Sequence, residues 1–279
     1  MTKEPPPAAA WLQPEEASHR LLAGFLTSFS SDPLAFRDCG VTIKSGNLPI
    51  ATSGWSYHSW RGRFFPRDLP ERRQLEFYAQ QFPTTELNGV FYRTPTVETV
   101  RAWEERTPED FVFAWKASKF ITHWKRLSDT SRNSLALLED RLRLLGQKAG
   151  PVLFQLPPQY EKDRERLASF VKLLSSRRRY VFEFRHRSWY GDDTLDLLRD
   201  HGIALCISDH HEAPAPWIAT ARHVYLRAHG PRGRYRGRYP AETLSLGDEN
   251  WKDCSMKTAL FMSISTTIRR VPRQRTLCY

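Results

Sequence analysis

Tyr180-Val181-Phe182-Glu183-Phe184-Arg185-His186-Arg187-Ser188-Trp189 begins as a buried strand and ends as a cluster of charges. Tyr180, Val181 and Phe182 are β-branched or aromatic, the side chains that suit a pleated, packed surface. Glu183, Arg185 and His186 follow at once, and such groups are costly to bury unless they are paired or used. That order fits a strand whose C-terminal end opens into the mouth of a barrel or a doubly wound sheet. The fold therefore turns on whether other strands in the chain repeat it.

They do. From Pro49 onward, short apolar runs alternate with longer, charged, helix-compatible stretches, which is the rhythm of βα units on a parallel sheet. The runs read as strands are Ile50–Ser53, Thr85–Asn88, Phe111–Lys116, Val152–Leu156, Tyr180–Phe184, Ile203–Ser208 and His223–Arg227. Helices are predicted over Leu69–Phe82, Val97–Arg106, Ser134–Gly146, Asp163–Leu174 and Asp192–His201. Gly146 and Gly202 stand where helices stop, and Thr96 is placed to cap the helix from Val97, with Glu98 in its first turn. The chain of 279 residues accommodates one α/β TIM-type (β/α) barrel of about 250 residues. Such a barrel needs an eighth strand, which should fall near residues 255–268. That stretch reads poorly as a strand, so the last strand is expected to be missing or replaced, with Leu260–Thr266 a mediocre candidate for a substitute. The expected organisation is an extension over 1–47, a barrel over 48–246 and an aberrant tail over 247–279. The extension, with Pro5–Pro7 and Ala8–Ala10, is expected to be mobile, and one explanation for it is a start codon assigned upstream of the true one near Val41.

The formal charge of +11 favours an anionic partner, either a small molecule or nucleic acid, although a solvated Arg-rich surface would account for it as well. Cys39, Cys206, Cys254 and Cys278 are far apart and form no CxxC pair, which fits a reducing, cytoplasmic setting. No apolar run approaches the ~18 residues of a membrane span, so no membrane partner is expected. Walker A, GxGxxG, GxSxG and HExxH signatures are all absent, which lowers the weight of P-loop, Rossmann and serine-hydrolase chemistry. The residues name no cofactor and no oligomeric state.

The predicted strands end in polar residues with aromatic ones beside them. Ser53 leads to Trp55, Tyr57 and Trp60, and Glu86 and Asn88 lead to Tyr92 and Arg93. Lys116 and Gln155 end the next two; then come Glu183, Arg185 and His186, then Asp209 to Glu212, then Arg227 and His229. A barrel gathers such ends around one mouth. Other uses stay open for single members: Glu86, Asn88 and Gln155 could saturate hydrogen bonds inside the barrel, and His229 could be a structural imidazole. Asp209-His210-His211-Glu212 invites a metal reading, but neighbours on an extended segment point opposite ways, and no metal ligands are assigned. Rings at the rim and the GRYRGRY run over Gly233–Tyr239, with Tyr239 among them, offer faces on which bases or sugars stack; a solvated loop is the alternative.

In these motifs the chain resembles the family called domain of unknown function 72, or YecE-like. The resemblance is carried by TSGWSYHSWRGRFFP at 52–66, FPTTELNGVFYRTP at 82–95, FVFAWKASKFITH at 111–123 and GPVLFQLPP at 150–158. FEFRHRSW at 182–189, Asp209, VYLRAHG at 224–230 and GRY at 237–239 continue it in order. It implies a TIM-type barrel and little about activity, since the family's biochemistry is largely undetermined. Likeness of its barrel to phosphodiester-cleaving, endonuclease-IV-like barrels points to phosphate or nucleic acid by fold analogy. Carried onto this chain, the mouth would comprise Trp55, Tyr57, Glu86, Asn88, Lys116, His123, Gln155, Glu183, Arg185, His186, Asp209, Arg227 and His229. Relatives end in a strand like VYVYFDND, where this chain has its Leu246–Tyr279 tail. Codons can be chosen for Leu260–Tyr279 that, read one base earlier, spell VYVYFDNDQKSAAPTDALL, so a frameshift near residue 246 is expected.

The leading functional expectation is an enzyme-like barrel, a hydrolase or lyase among the options, acting on an anionic, phosphate-bearing or nucleic-acid ligand. Arg185, Arg227 and Lys116 would bind negative charge, and Glu183 or Glu86 with His186 or His229 would handle protons. Glu86, Glu183, His186, Asp209 and His229 are thus the catalytic candidates. Trp55, Tyr57, Asn88, Lys116, His123, Gln155, Arg185, Arg227 and Tyr239 are the ligand-binding ones. A non-catalytic nucleic-acid-binding module and an inactive family member lacking its native end are the alternatives.

Overall fold

Alternation along a strand decides which side chains face the barrel interior and which face the helices. In Tyr180–Glu183, Tyr180 and Phe182 turn outward with Phe184 beyond them, while Val181 and Glu183 turn inward. The computed structural model describes residues 50–229 and 260–264. The N-terminal extension, the GRYRGRY run over 233–239 with Tyr239, and the rest of the tail lie outside the described residues.

The strands are β1 (Ile50–Thr52), β2 (Thr84–Leu87), β3 (Val112–Lys116), β4 (Ala149–Gln155), β5 (Tyr180–Glu183), β6 (Ala204–Ser208), β7 (Val224–Ala228) and β8 (Leu260–Ile264). Helices α1 (Gln74–Ala79), α2 (Val97–Glu105), α3 (Arg132–Leu144), α4 (Arg164–Val171) and α5 (Asp192–Asp200) fall between them. All the predicted strands and helices are found, with ends displaced by a few residues. The Thr96 hydroxyl accepts from the Thr99 amide at 3.2 Å to start α2, and Gly202 follows α5 at φ +61°, in the left-handed conformation that ends helices.

Every neighbouring pair is parallel, and the eight strands run in the order β1-β8-β7-β6-β5-β4-β3-β2. The ends of this sheet meet at one parallel bridge between Ser53 and Glu86, reinforced by the Thr85 hydroxyl donating to the Thr52 carbonyl at 3.3 Å. The architecture is thus a TIM-type barrel, incompletely closed between β1 and β2. The stretch that reads poorly as a strand supplies β8, which pairs with β7 on one side and β1 on the other. Pairing on both edges is a tertiary gain that outweighs a modest local propensity.

Two apolar layers fix the strands. Outside, Phe113, Trp115, Val152, Phe154, Phe182 and Leu205 pack against Leu142, Leu167, Phe170 and Leu198 of the helices. Phe154 stacks on Phe182 with centroids 5.2 Å apart, and Phe184 lies parallel to Trp189 at 4.8 Å. The Trp189 indole N–H reaches the Tyr160 carbonyl at 2.6 Å, so the apolar end of the Tyr180–Trp189 stretch is anchored outside the barrel. Inside, Ala51, Ala114, Leu153, Val181, Ala204, Cys206 and Tyr225 form a smaller cluster. The alanines leave room for the one ring, Tyr225, and for the charged layer above it.

Gly150 in β4 lies close against β3, beside the register shift between Phe113 and Trp115. A β-carbon there would sit 2.6 Å from Val112 Cγ1 and 2.8 Å from the Phe113 carbonyl oxygen. Because that oxygen belongs to the backbone, it cannot swing aside. Gly150→Ala should cost about 1–3 kcal/mol, read as a lower urea midpoint with an unchanged slope. An unmoved midpoint would refute the close approach.

Candidate functional site

The inward positions nearest the C-terminal ends of the strands carry Ser53, Glu86, Lys116, Gln155, Glu183 and Arg227. Gln155 is in register with Glu183 and Ser208 with Arg227, so strand pairing alone sets polar groups side by side. Glu86, Glu183, Gln155, Arg227 and His229 are all buried, and burial obliges them to satisfy one another.

Arg227 is the hub. Its Nε and Nη2 donate to Glu86 at 3.0 and 2.8 Å, and its Nη1 donates to Glu183 at 2.5 Å. Glu86 also accepts from the Ser53 hydroxyl at 3.1 Å and the Tyr225 hydroxyl at 2.7 Å. Glu183 accepts from Gln155 at 2.8 Å and from Arg185 Nε at 3.0 Å. Burial alone would raise both carboxyl pKa values. The guanidiniums overcome it: Arg227, with Lys116, holds Glu86 below the ordinary range, and Arg227, with Arg185, holds Glu183 well below it. Arg227 is pushed up in turn by the two carboxylates. Both carboxylates are therefore ionised and fully occupied by donors.

His229 occupies a different position. Its Nδ1 lies 3.0 Å from Asp209 Oδ1, and its backbone N–H donates to the same oxygen at 2.5 Å. That bond assigns the proton to Nδ1 and aims Nε2 at the cluster, where Arg185 Nη2 stands at 3.3 Å and Glu183 Oε1 at 3.5 Å. An imidazole oriented by a carboxylate, with its second nitrogen beside a guanidinium, is an arrangement able to relay a proton next to bound negative charge.

Lys116, at the end of β3, is buried. Its ammonium nitrogen lies 4.3 Å from the Phe91 ring centroid. Burial, followed by the repulsion of Arg227, lowers its pKa to about 7 against the pull of Glu86 and Glu183. His123 sits edge-on to the same ring at 5.1 Å and bonds the Thr122 hydroxyl at 2.9 Å. Burial and the nearby Lys116 and Arg185 lower its pKa to about 4, so it is neutral at pH 7. It belongs to a π-helical turn over Phe120–Trp124, a backbone irregularity that recurs at functional sites.

Not every expected member converges. His186 turns its Nδ1 to Ser188, 2.8 Å from that hydroxyl, and caps the short helical turn over Arg187–Trp189. Trp55 packs edge-on against Trp103 at 5.8 Å, and the Tyr57 hydroxyl donates to the Ser53 carbonyl. With Asn88, whose buried side-chain oxygen has no hydrogen-bond partner among the described residues, they line a cavity of about 400 Å³ beside the mouth. Asp209 to Glu212 do not converge on one point: Asp209 faces His229, His211 Nε2 lies 3.4 Å from Glu212, and the His210 ring packs 4.9 Å from that of His211, its Nδ1 buried without a hydrogen-bond partner among the described residues. Among the described residues no group of three or more His, Cys, Asp or Glu could hold a metal ion, and no helix is long and apolar enough to cross a membrane. Three contributors, Ser53, Tyr225 and Phe91, were absent from the site candidates, although Ser53 is read at the end of its strand. Tyr225 lies two residues before Arg227 and so on the same face of β7, a signal the alternation carries. Phe91 sits under Lys116 through the fold alone.

The sequence profile described as "Protein of unknown function DUF72" matches residues 49–266. The chain is similar to the UPF0759 protein YunF of Bacillus subtilis, 26% identical over 73% of this chain and 75% of that one. It is 30% identical to the UPF0759 protein YecE of Escherichia coli over 46% of this chain and 47% of that one. A solved DUF72 family protein from Thermotoga maritima superposes with TM-score 0.67 at 25% identity, covering 78% of this chain and 92% of that one. Another from Enterococcus faecalis gives 0.61 at 18% identity, covering 78% and 88%.

Proposed function

The chain belongs to the DUF72 family, whose name carries no activity, and from its own residues we propose that it is an enzyme binding an anionic, phosphate-bearing ligand at the mouth of the barrel. One observation carries this reading: His229, oriented by Asp209, presents Nε2 beside Arg185. Arg185 has 15% of its side chain exposed, so its outer face can meet a ligand oxyanion, while Glu183 fixes its position. Arg227 has spent its donors on Glu86 and Glu183, which places it beneath the site as a support. Glu86 and Glu183 hold their protons too weakly, and are too fully bonded, to act as general acids, which leaves proton transfer to His229.

Turnover of para-nitrophenyl phosphate and of bis(para-nitrophenyl) phosphate tests this. His229→Ala should lower the rate about 10²–10⁴-fold with phosphate affinity little changed, whereas Arg185→Gln should weaken phosphate binding. Rates unaffected by His229→Ala would sink the catalytic reading. A nucleic-acid-binding module remains the second reading, favoured by exposed Trp124 and Phe120 near lysines: Lys119 Nζ is 5.9 Å from the Trp124 ring, and Lys125 Nζ is 5.4 Å from that of Phe120. It requires affinity for single-stranded DNA that falls steeply with salt.

A further inference from the structure

Two buried lysines in this barrel differ in what surrounds them. Lys148 is 7% exposed and has a full set of oxygens: the Thr107 carbonyl at 2.9 Å, the Glu104 carboxylate at 3.2 Å and the Glu104 carbonyl. It is a structural lysine. Lys116 is 9% exposed and, among the described residues, makes no hydrogen bond and has no carboxylate oxygen within 4.0 Å; its Nζ rests on the face of Phe91.

The surroundings of Lys116 explain why. Glu86 and Glu183, the acids that act on it electrostatically, are bound by Arg227, Arg185, Ser53, Tyr225 and Gln155. Arg227 and Arg185 repel its charged form, and His123 across the Phe91 ring adds no acceptor bond to it. With its pKa at about 7, a large share of the side chain is neutral amine at physiological pH. A neutral amine is a poor ligand for an oxyanion. It is a good nucleophile, and a desolvated lysine beside other cations is the environment that activates such an amine.

We propose that Lys116 is the nucleophile of a covalent site, forming an imine with the carbonyl carbon of a small anionic aldehyde or ketone whose charge is held by Arg185. The inference rests on the mouth being the ligand site and narrows the ligand to a carbonyl compound. The amine lone pair adds to the carbonyl carbon and the π pair moves to oxygen. One proton passes from nitrogen to that oxygen, giving a carbinolamine. A further proton, supplied through His229 or from solvent, lets the hydroxyl leave as water while the nitrogen pair forms the C=N bond. Amine, carbonyl and one proton become iminium and water, with no oxidant or reductant.

Sodium cyanoborohydride trapping on the full chain at pH 7, with pyruvate and dihydroxyacetone phosphate as probes, tests this. The expected result is one adduct per chain, mapped to the Lys116 peptide and lost in Lys116→Arg. Competitive labelling with acetic anhydride does not depend on the choice of carbonyl. At pH 7 the neutral fraction of Lys116 should exceed that of an ordinary lysine by about 10³-fold, so its labelling per exposed area should stand well above the surface lysines and titrate near 7. Adducts scattered over surface lysines, or labelling of Lys116 that rises only near pH 10, would overturn the proposal. Thermal stabilisation by the probes without a reducible adduct would overturn the covalent step and leave anion binding intact. Absence of stabilisation by the probes and by inorganic phosphate alike would remove the anion-binding reading with it.

Discussion

Arg227→Met should leave the barrel largely unfolded at neutral pH, and mild acid should restore part of its stability. The substitution keeps bulk and removes the guanidinium that both Glu86 and Glu183 depend on. Stranding one buried charge costs about 3–5 kcal/mol, and here two carboxylates are stranded. A domain has a total of roughly 5–15 kcal/mol to lose. In the wild type both carboxyl pKa values lie below the ordinary range. Their stabilisation is therefore fully present above that range and is lost as pH falls through the folded-state values. In the variant burial acts unopposed by Arg227 and raises those pKa values. Protonation then relieves the repulsion, and stability rises as pH falls toward 5, opposite to the wild type. Glu86→Gln combined with Arg227→Met should recover part of the loss at pH 7. Urea denaturation at pH 7 and pH 5, followed by circular dichroism, measures all of this. An Arg227→Met variant within about 1 kcal/mol of wild type at pH 7 would contradict the hub role, since the cost expected for a single stranded charge is already larger.

Lys116→Met changes stability in the other direction. The folded-state pKa of Lys116 is lowered from 10.5 to about 7. Between those values the folded chain binds fewer protons than the unfolded one, so the wild type gains stability as pH rises across that window. Below it, the full cost of an ill-placed ammonium is felt, on the order of 5 kcal/mol. Methionine fills similar volume and carries no charge. The variant should be more stable than wild type by roughly that amount at pH 6, with the gap mostly closed by pH 10. A gain of equal size at both pH values, or a loss at both, would mean that packing rather than charge decides the position. A side chain that lowers the stability of its own fold is what a reactive group costs, and this gives the imine proposal a thermodynamic counterpart.

The fold was legible because its signals are local. Period-two alternation in Tyr180–Glu183, the glycine after α5, the threonine cap of α2 and a polar residue closing each apolar run are properties of a few adjacent residues. They suffice to specify parallel strands, helices between them and chemistry at one end. Leu260–Ile264 gave only a weak signal, since β8 exists through neighbours on both sides and its own residues argue for it poorly.

The membership of the charged layer was legible too, but the division of labour within it was not. Residue types named Arg227, Arg185 and Lys116 as cations and Glu86, Glu183, His186 and His229 as proton carriers. Only the curved sheet of strands decided that Arg227, 141 positions from Glu86 in the chain, is consumed by two carboxylates. The same tertiary arrangement points His229 inward and His186 outward, and leaves Lys116 on an aromatic face. Charges pair according to distance and burial across the barrel, and neither quantity is written in the order of the residues.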